Sequence, residues 1–290
     1  MRIVLSSNPY RDKGLRAAQE AQKILNRAGA DTVLCLPFVP KKGERFDIPR
    51  SIKLGKLDEE LSRADVLICF GGDGTLLHAA RDATLHNVPV MGVNMGSVGF
   101  MAELERSELS LLSKLAEGKY RTEERMMLQV RLLRGEKVLM EDLALNDAVI
   151  SKGSIARVAE LEVRANDVLV TSLTGDGIIV ASPTGSTAYS MSAGGPIVEP
   201  TSREIIVTPV CAHQLAARAM VFASDRVITV QLPKDSRKYL NLAVDGGKSI
   251  RITGGERVEI RRASRTTKLI RLTDRNFYQI VNQKLGGFQG

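Results

Sequence analysis

The sequence predicts an α/β N-terminal domain built on a parallel sheet, followed by an all-β-rich C-terminal domain. Three observations carry this. Strand and helix signals alternate through the first third of the chain. From about residue 124 the texture changes to short runs in which apolar and polar residues alternate. Between a continuous apolar run and a helical segment stands FGGDGT, residues 70–75. Strand–helix alternation implies a parallel sheet with helices on its faces, here Rossmann-like, with GGDGT as a strand-to-helix turn. The predicted division is 1–122 for the α/β domain and 123–267 for the β-rich domain. A C-terminal segment, 268–290, is expected to pack back on the first.

In chain order, RIVLSS (2–7) is a short apolar strand, and 15–29 has helical spacing closed by Gly29. DTVLCLP (31–37) reads as a second strand ended by proline. ADVLICF (64–70) is a third, apolar enough to be buried on both faces. TLLHAARDATL (75–85) predicts a helix, PVMGVN (89–94) a fourth strand, and 107–120 an amphipathic helix. Beyond residue 124, two hairpin-rich stretches alternate apolar and polar residues between glycine or asparagine turns, one of them at 165–167 (AND). Further short strands fit 226–232, 240–245 and 257–262, and the RNFYQIVNQKLGG stretch reads as a closing helix.

Composition narrows the function classes. The chain has 290 residues, 43% hydrophobic and 26% charged, ordinary for a globular protein. Its three cysteines, Cys35, Cys69 and Cys211, form no CxxC pair; Cys35 and Cys69 lie in apolar runs and read as buried thiols. The apolar stretch at the start is too short for a signal peptide, and no run reaches the roughly 20 residues of a membrane span. The expected location is cytoplasmic. The formal charge is +8, part of it in Arg261, Arg262, Arg265, Lys268, Arg271 and Arg275. These arginines alternate with apolar residues like solvated faces of strands, and only 4% of residues are aromatic, which leaves little to stack on bases. Nucleic acid is therefore not an expected partner; a basic surface also suits a small anionic substrate.

The glycine cluster carries the chemistry. Amides at the start of a helix have no intrahelical acceptor, and the helix dipole adds positive partial charge there. Phosphate is the natural guest, so Gly71, Gly72, Gly74 and Thr75 read as a phosphate cradle. A P-loop match is absent, and GxGxxG fails at its last position, where Leu77 stands. Asp73 is what anion binding leaves unexplained. A carboxylate beside phosphate either meets a metal, for which Mg²⁺ near Asp73 is expected, or takes a proton from an attacking hydroxyl. Both point to phosphoryl transfer. The plainer alternative is an Asp–Gly turn joining strand to helix. His78, His86 and His213 form no metal spacing and have no partner acid at triad-like spacing.

At these residues the sequence resembles a superfamily that includes NAD kinases, diacylglycerol and sphingosine kinases, and 6-phosphofructokinases, all with a glycine turn like FGGDGTLL. The later segments NMGSVGFMAEL (94–104), ALNDAVI (144–150), TGDGIIVASPTGSTAYSMSAGGPIVEP (174–200), VTPVCAHQLAARAMV (207–221) and RLTDRNFYQIVNQKL (271–285) resemble NAD kinases in order and spacing. The resemblance implies transfer of the terminal phosphoryl of ATP, another nucleoside triphosphate or polyphosphate to the 2′-hydroxyl of the adenosine ribose of NAD, giving NADP. It implies Asp73 as the base beside that hydroxyl, and Asn146 and Asp147 as a ribose-binding pair. Most members carry Glu at the position of Asp147. Thr184, Thr187, Ala188, Tyr189 and Ser192 are implied on the adenine side with Phe100. Asp176 and Arg157 are implied on the nicotinamide side. Gly247 stands where members often have Gln, so that amide contact is not expected. NAD and ATP are the implied partners, in a homodimer or homotetramer. A lipid kinase would need an apolar acceptor site, and SPTGSTAYSMSAGG is polar; a sugar kinase would need a basic sugar-phosphate pocket. A noncatalytic NAD-binding protein would have no use for Asp73.

Overall fold

The computed structural model describes residues 1–96, 99–154, 158–214, 216–233, 236 and 238–286. The chain runs β1 (Arg2–Ser7), α1 (Arg16–Arg27), β2 (Asp31–Cys35), β3 (Leu54–Gly55), α2 (Leu57–Leu61), β4 (Val66–Gly71), α3 (Asp73–Leu85), β5 (Val90–Asn94), β6 (Leu104–Glu105) and α4 (Leu112–Ala116). It continues through β7 (Arg121–Arg134), β8 (Lys137–Ala144), β9 (Asp147–Lys152), β10 (Ala159–Ala165), β11 (Val168–Gly175) and β12 (Gly177–Ala181). There follow α5 (Tyr189–Ser192), β13 (Ile205–Val210), β14 (Met220–Phe222), β15 (Ile228–Gln231), β16 (Leu240–Val244), β17 (Ile250–Ile252), β18 (Glu256–Arg271) and α6 (Phe277–Leu285). The chain divides into two compact units: Met1–Glu124 with the segment from Thr267 onward, and Arg125–Thr266. No helix among the described residues is long and apolar enough to cross a membrane.

The first unit holds a parallel sheet in the order β18-β5-β4-β1-β2-β3, with β18 entering through Leu269 beside Val90. β4 is buried along its whole length, as its unbroken apolar run requires of a central strand with helices on both faces. Its core joins Ile3, Leu5, Ile68, Phe70 and Val93 of the strands to Ala17, Ala18, Ala21 and Leu25 of α1. Asp12 starts that helix: its carboxylate accepts the Ala17 amide at 2.9 Å, the Ala18 amide at 3.1 Å and the Ser7 hydroxyl at 2.8 Å. Gly29, at φ 85°, ends it.

The second unit is a β-sandwich. One sheet runs β11-β10-β15-β18, with β7 paired to β18 and β8; the other is antiparallel in the order β14-β13-β12-β9-β16-β17. Leu128, Val130, Leu161, Val163, Val230 and Val258 from the first meet Ile150, Ile178, Val180 and Leu242 from the second in one core. The opposite face of β12 is covered too: Ile179 and Ala181 pack with Ile206, Ala193 and Val198. That second cover lays residues 183–198 over the sheet, where the polar block lies.

Two expectations are corrected. The amphipathic helix over 107–120 is a 3₁₀ turn at Arg106–Leu111, opened by a capping box between Glu105 and Glu108, and then only α4. Gly118, at φ 73°, cannot continue it. The strand expected at 257–262 runs on as β18 to Arg271. With it goes part of the solvated-arginine reading: Arg271 is buried, with ion pairs to Glu103 at 3.1 Å and Glu123 at 3.2 Å.

Candidate active site

In the first unit β1, β4 and β5 end side by side, and ligands of open parallel sheets bind beyond such strand ends. β4 ends at Gly71, Gly72 caps α3 in an extended conformation, and Asp73 is the first helical residue. The glycines differ in what they permit. A Cβ on Gly71 would stand 2.6 Å from the Thr75 side chain, whereas at Gly72 and Gly74 it would meet nothing within 4 Å. The backbone is thus open at 72 and 74, and Gly71 gives room to Thr75. Asn8, just after β1, donates to Thr75 Oγ1 at 3.1 Å.

Asp73 is held from its own unit. Phe100 N–H donates to its Oδ2 at 2.8 Å and Met101 N–H to its Oδ1 at 3.3 Å. An ionised carboxylate offers about four lone-pair sites, so capacity for a hydroxyl remains. Phe100 itself is half-buried, its ring 4.0 Å beneath Lys284 Nζ of α6.

In the second unit Asp245, at φ 48°, closes the turn before β9. Its carboxylate accepts three consecutive amides, from Leu145 at 2.8 Å, Asn146 at 2.8 Å and Asp147 at 3.0 Å. Asn146 Oδ1 is buried and has no hydrogen-bond partner among the described residues. An unmet buried acceptor is costly unless a ligand donates to it. Asp147 is buried, and burial, aided by the nearby Asp245 charge, pushes its carboxyl up from an ordinary 3.8 to about 7. The polar block follows closely in space. Ser182 N–H donates to Asn146 O at 2.8 Å, and a Cβ at Gly185 would overlap that same carbonyl. Thr184 is buried, and its Oγ1 accepts from Arg125 at 3.2 Å.

The structure therefore brings Asn146 and Asp147 against the Thr184 turn. Thr187 and Ala188 are half-buried along it, and Ser192 is exposed at the end of α5. Tyr189, exposed, lines with Asp176 a cavity of about 340 Å³, where Asp176 pairs with Lys152 at 2.6 Å. Arg157 lies outside the described residues. Asn8, Gly99, where a Cβ would overlap Asp73 Oδ1, and the capping role of Asp245 escaped the sequence reading, because each acts on a partner far along the chain. Local spacing carries no signal for such pairs; for Asp245 the positive φ of an Asp–Gly turn was the available hint. Among the described residues no group of three or more His, Cys, Asp and Glu side chains could hold a metal ion.

A glycine turn presenting a carboxylate at the head of a helix, on an α/β unit joined to a β-sandwich, belongs to the phosphotransferases. Within them the chain belongs to the NAD kinase family and is an enzyme of that kind. Residues 8–120 match the ATP-NAD kinase N-terminal domain and 145–272 the ATP-NAD kinase C-terminal domain. The NAD kinase of Ruminiclostridium cellulolyticum is 38% identical over 285 residues, covering 98% of this chain and 97% of the relative. That of Acetivibrio thermocellus is 34% identical over 288 residues, with 98% and 97% covered. Two solved structures share the fold. Yeast NADH kinase complexed with NADH matches with a TM-score of 0.85 at 22% identity, over 100% of this chain and 89% of that one. The NAD kinase of Archaeoglobus fulgidus in complex with ATP matches at 0.74 and 23%, over 99% of each.

Proposed function

We propose that the protein transfers the terminal phosphoryl of ATP, another nucleoside triphosphate or polyphosphate to the 2′-hydroxyl of the adenosine ribose of NAD, giving NADP. The observation that carries this is Asp73, fixed by two amides at the head of α3 between glycines whose backbone is open. Open amides there favour the phosphates of the donor. Asp73 accepts the hydroxyl proton as the oxygen attacks, a late transfer suited to a weak base. Asn146 and Asp147 hold the ribose; the buried, unmet Oδ1 of Asn146 suits a donating hydroxyl. Thr184, Thr187, Ala188, Tyr189 and Ser192 take the adenine side with Phe100, and Asp176 the nicotinamide side. Mg²⁺ would come with ATP, near Asp73, and would offset charge on the transferred phosphoryl group. We further assign a cytoplasmic location and a homodimer or homotetramer.

The test is an assay crossing ATP, GTP and polyphosphate with NAD and NADH, read as 2′-phosphorylated product. Asp73→Asn is expected to bind NAD within severalfold of the wild type and to lose turnover by about 10² or more, the scale of general acid–base catalysis. Near-normal turnover in that variant removes the proton-acceptor role and favours a dinucleotide-binding function without transfer.

A further inference from the structure

The amides that hold Asp73 are themselves held. Glu103, 3% exposed, is anchored to β5 by its own amide, which donates to Gly92 O at 2.9 Å. Its Oε1 accepts from Leu272 N at 2.8 Å, Thr273 N at 2.6 Å and Thr273 Oγ1 at 2.7 Å; its Oε2 accepts from Arg271 Nη1 at 3.1 Å. The same Arg271 nitrogen reaches Met101 O at 3.5 Å, and Arg275 donates to Glu103 O at 3.3 Å. One buried carboxylate thus ties the C-terminal segment to the run 100–103, directly at Glu103 and through Arg271 at the Met101 carbonyl. Two of those residues, Phe100 and Met101, supply the amides on Asp73. An acid buried with four donors on it is over-determined, and an apolar side chain could fill the same volume without desolvating a charge. What it adds is fixed geometry.

We propose that Glu103 is a positioning residue for phosphoryl transfer: itself held by Thr273 and acting through Arg271 on the Met101 carbonyl, it fixes the backbone that presents the Phe100 and Met101 amides, and so the orientation of the Asp73 carboxylate. The inference rests on Asp73 being the proton acceptor. Displacing a reacting group by about an ångström costs up to about 10² in rate while leaving substrate contacts in place. Loss of Glu103 therefore lowers kcat and spares the KM for NAD.

The experiment is a double-mutant cycle on the full chain, with Glu103→Gln, Asp73→Asn and the pair, followed by initial rates of NADP formation and by thermal melts. Glu103→Gln alone is expected to lower kcat by about tenfold or more with the KM for NAD within about threefold. Once Asp73 is Asn there is no carboxylate left to orient, so adding Glu103→Gln changes kcat by less than about threefold. A merely structural role gives the same loss in both backgrounds or raises KM, and either result overturns the proposal, as does an unchanged kcat in Glu103→Gln. If Glu103→Gln does not fold, Thr273→Val, which removes one donor to Glu103, serves in the same cycle. It is expected to give a smaller kcat loss that again vanishes with Asp73→Asn, and an additive loss overturns the proposal. Normal turnover in Asp73→Asn alone is a separate outcome: it refutes the proton-acceptor reading first, and this inference with it.

Discussion

A methyl group added at Gly99 would overlap Oδ1 of Asp73, and its three nearest neighbours there are atoms of that carboxylate. Gly99→Ala must therefore push the acid away from the Phe100 and Met101 amides. We expect kcat to fall by about tenfold or more, with NAD affinity changed little, measured as steady-state rates and NAD titrations. Asp147 gives a prediction of another kind. Its carboxyl is raised to about 7 in the fold, so folding takes up a proton between pH 4 and 7. The stability this group contributes is full below about pH 4 and is lost as pH rises through about 7. Asp147→Asn keeps the neutral form at all pH values. Relative to wild type, the variant is expected to gain stability between pH 5 and pH 8, by up to a few kcal/mol, in urea melts at the two pH values. An unchanged difference would show that the acid is ionised throughout. Asp73 was legible in the sequence because its glycines flank it directly. Gly99 and the capping of residues 145–147 by Asp245 were not, because a contact between distant segments leaves no periodicity.

Elements were legible where one face or both had to be apolar. The continuous run at 64–70 is β4, and ALNDAVI ends as β9 inside the sandwich. The AND turn also came out of local chemistry: Asn166 and Asp167 both have positive φ, as a two-residue hairpin turn demands. Lengths were harder. β18 runs through Arg271 because its later residues join the parallel sheet at Leu269, a pairing that depends on β5 being there. The segment after β12 is tightly constrained. Gly185 lies so close to Asn146 that a Cβ would overlap backbone atoms, which have no rotamer to escape into. Gly185→Ala is expected to cost about 1–3 kcal/mol, the usual range for overpacking, read by urea denaturation. Because the displaced turn carries Thr184 and abuts Asn146, the KM for NAD should rise as well. A stable variant with an unchanged KM would separate this turn from the dinucleotide.

Across the whole molecule, the formal charge of +8 says less than where the cations are committed. Arg271 is buried between Glu103 and Glu123. Arg261 donates to Gln129 at 2.7 Å and Arg257 to Gly135 O at 2.8 Å, across to the neighbouring β7 hairpin. Arg131 and Arg134 are paired with Glu259 and Glu256 on β18 itself. Side chains used in this way stitch strands; they are not a free track for a phosphate backbone. The two cores, meanwhile, are separate clusters of hydrophobic residues. We therefore expect only nonspecific binding to duplex DNA, with a Kd of about 10⁻⁵ M or weaker near 150 mM salt. Fluorescence anisotropy with a short labelled duplex measures it directly. A Kd in the nanomolar range at that salt would mean that these arginines exchange their strand partners for phosphates, and the composition argument against nucleic acid would fail with it.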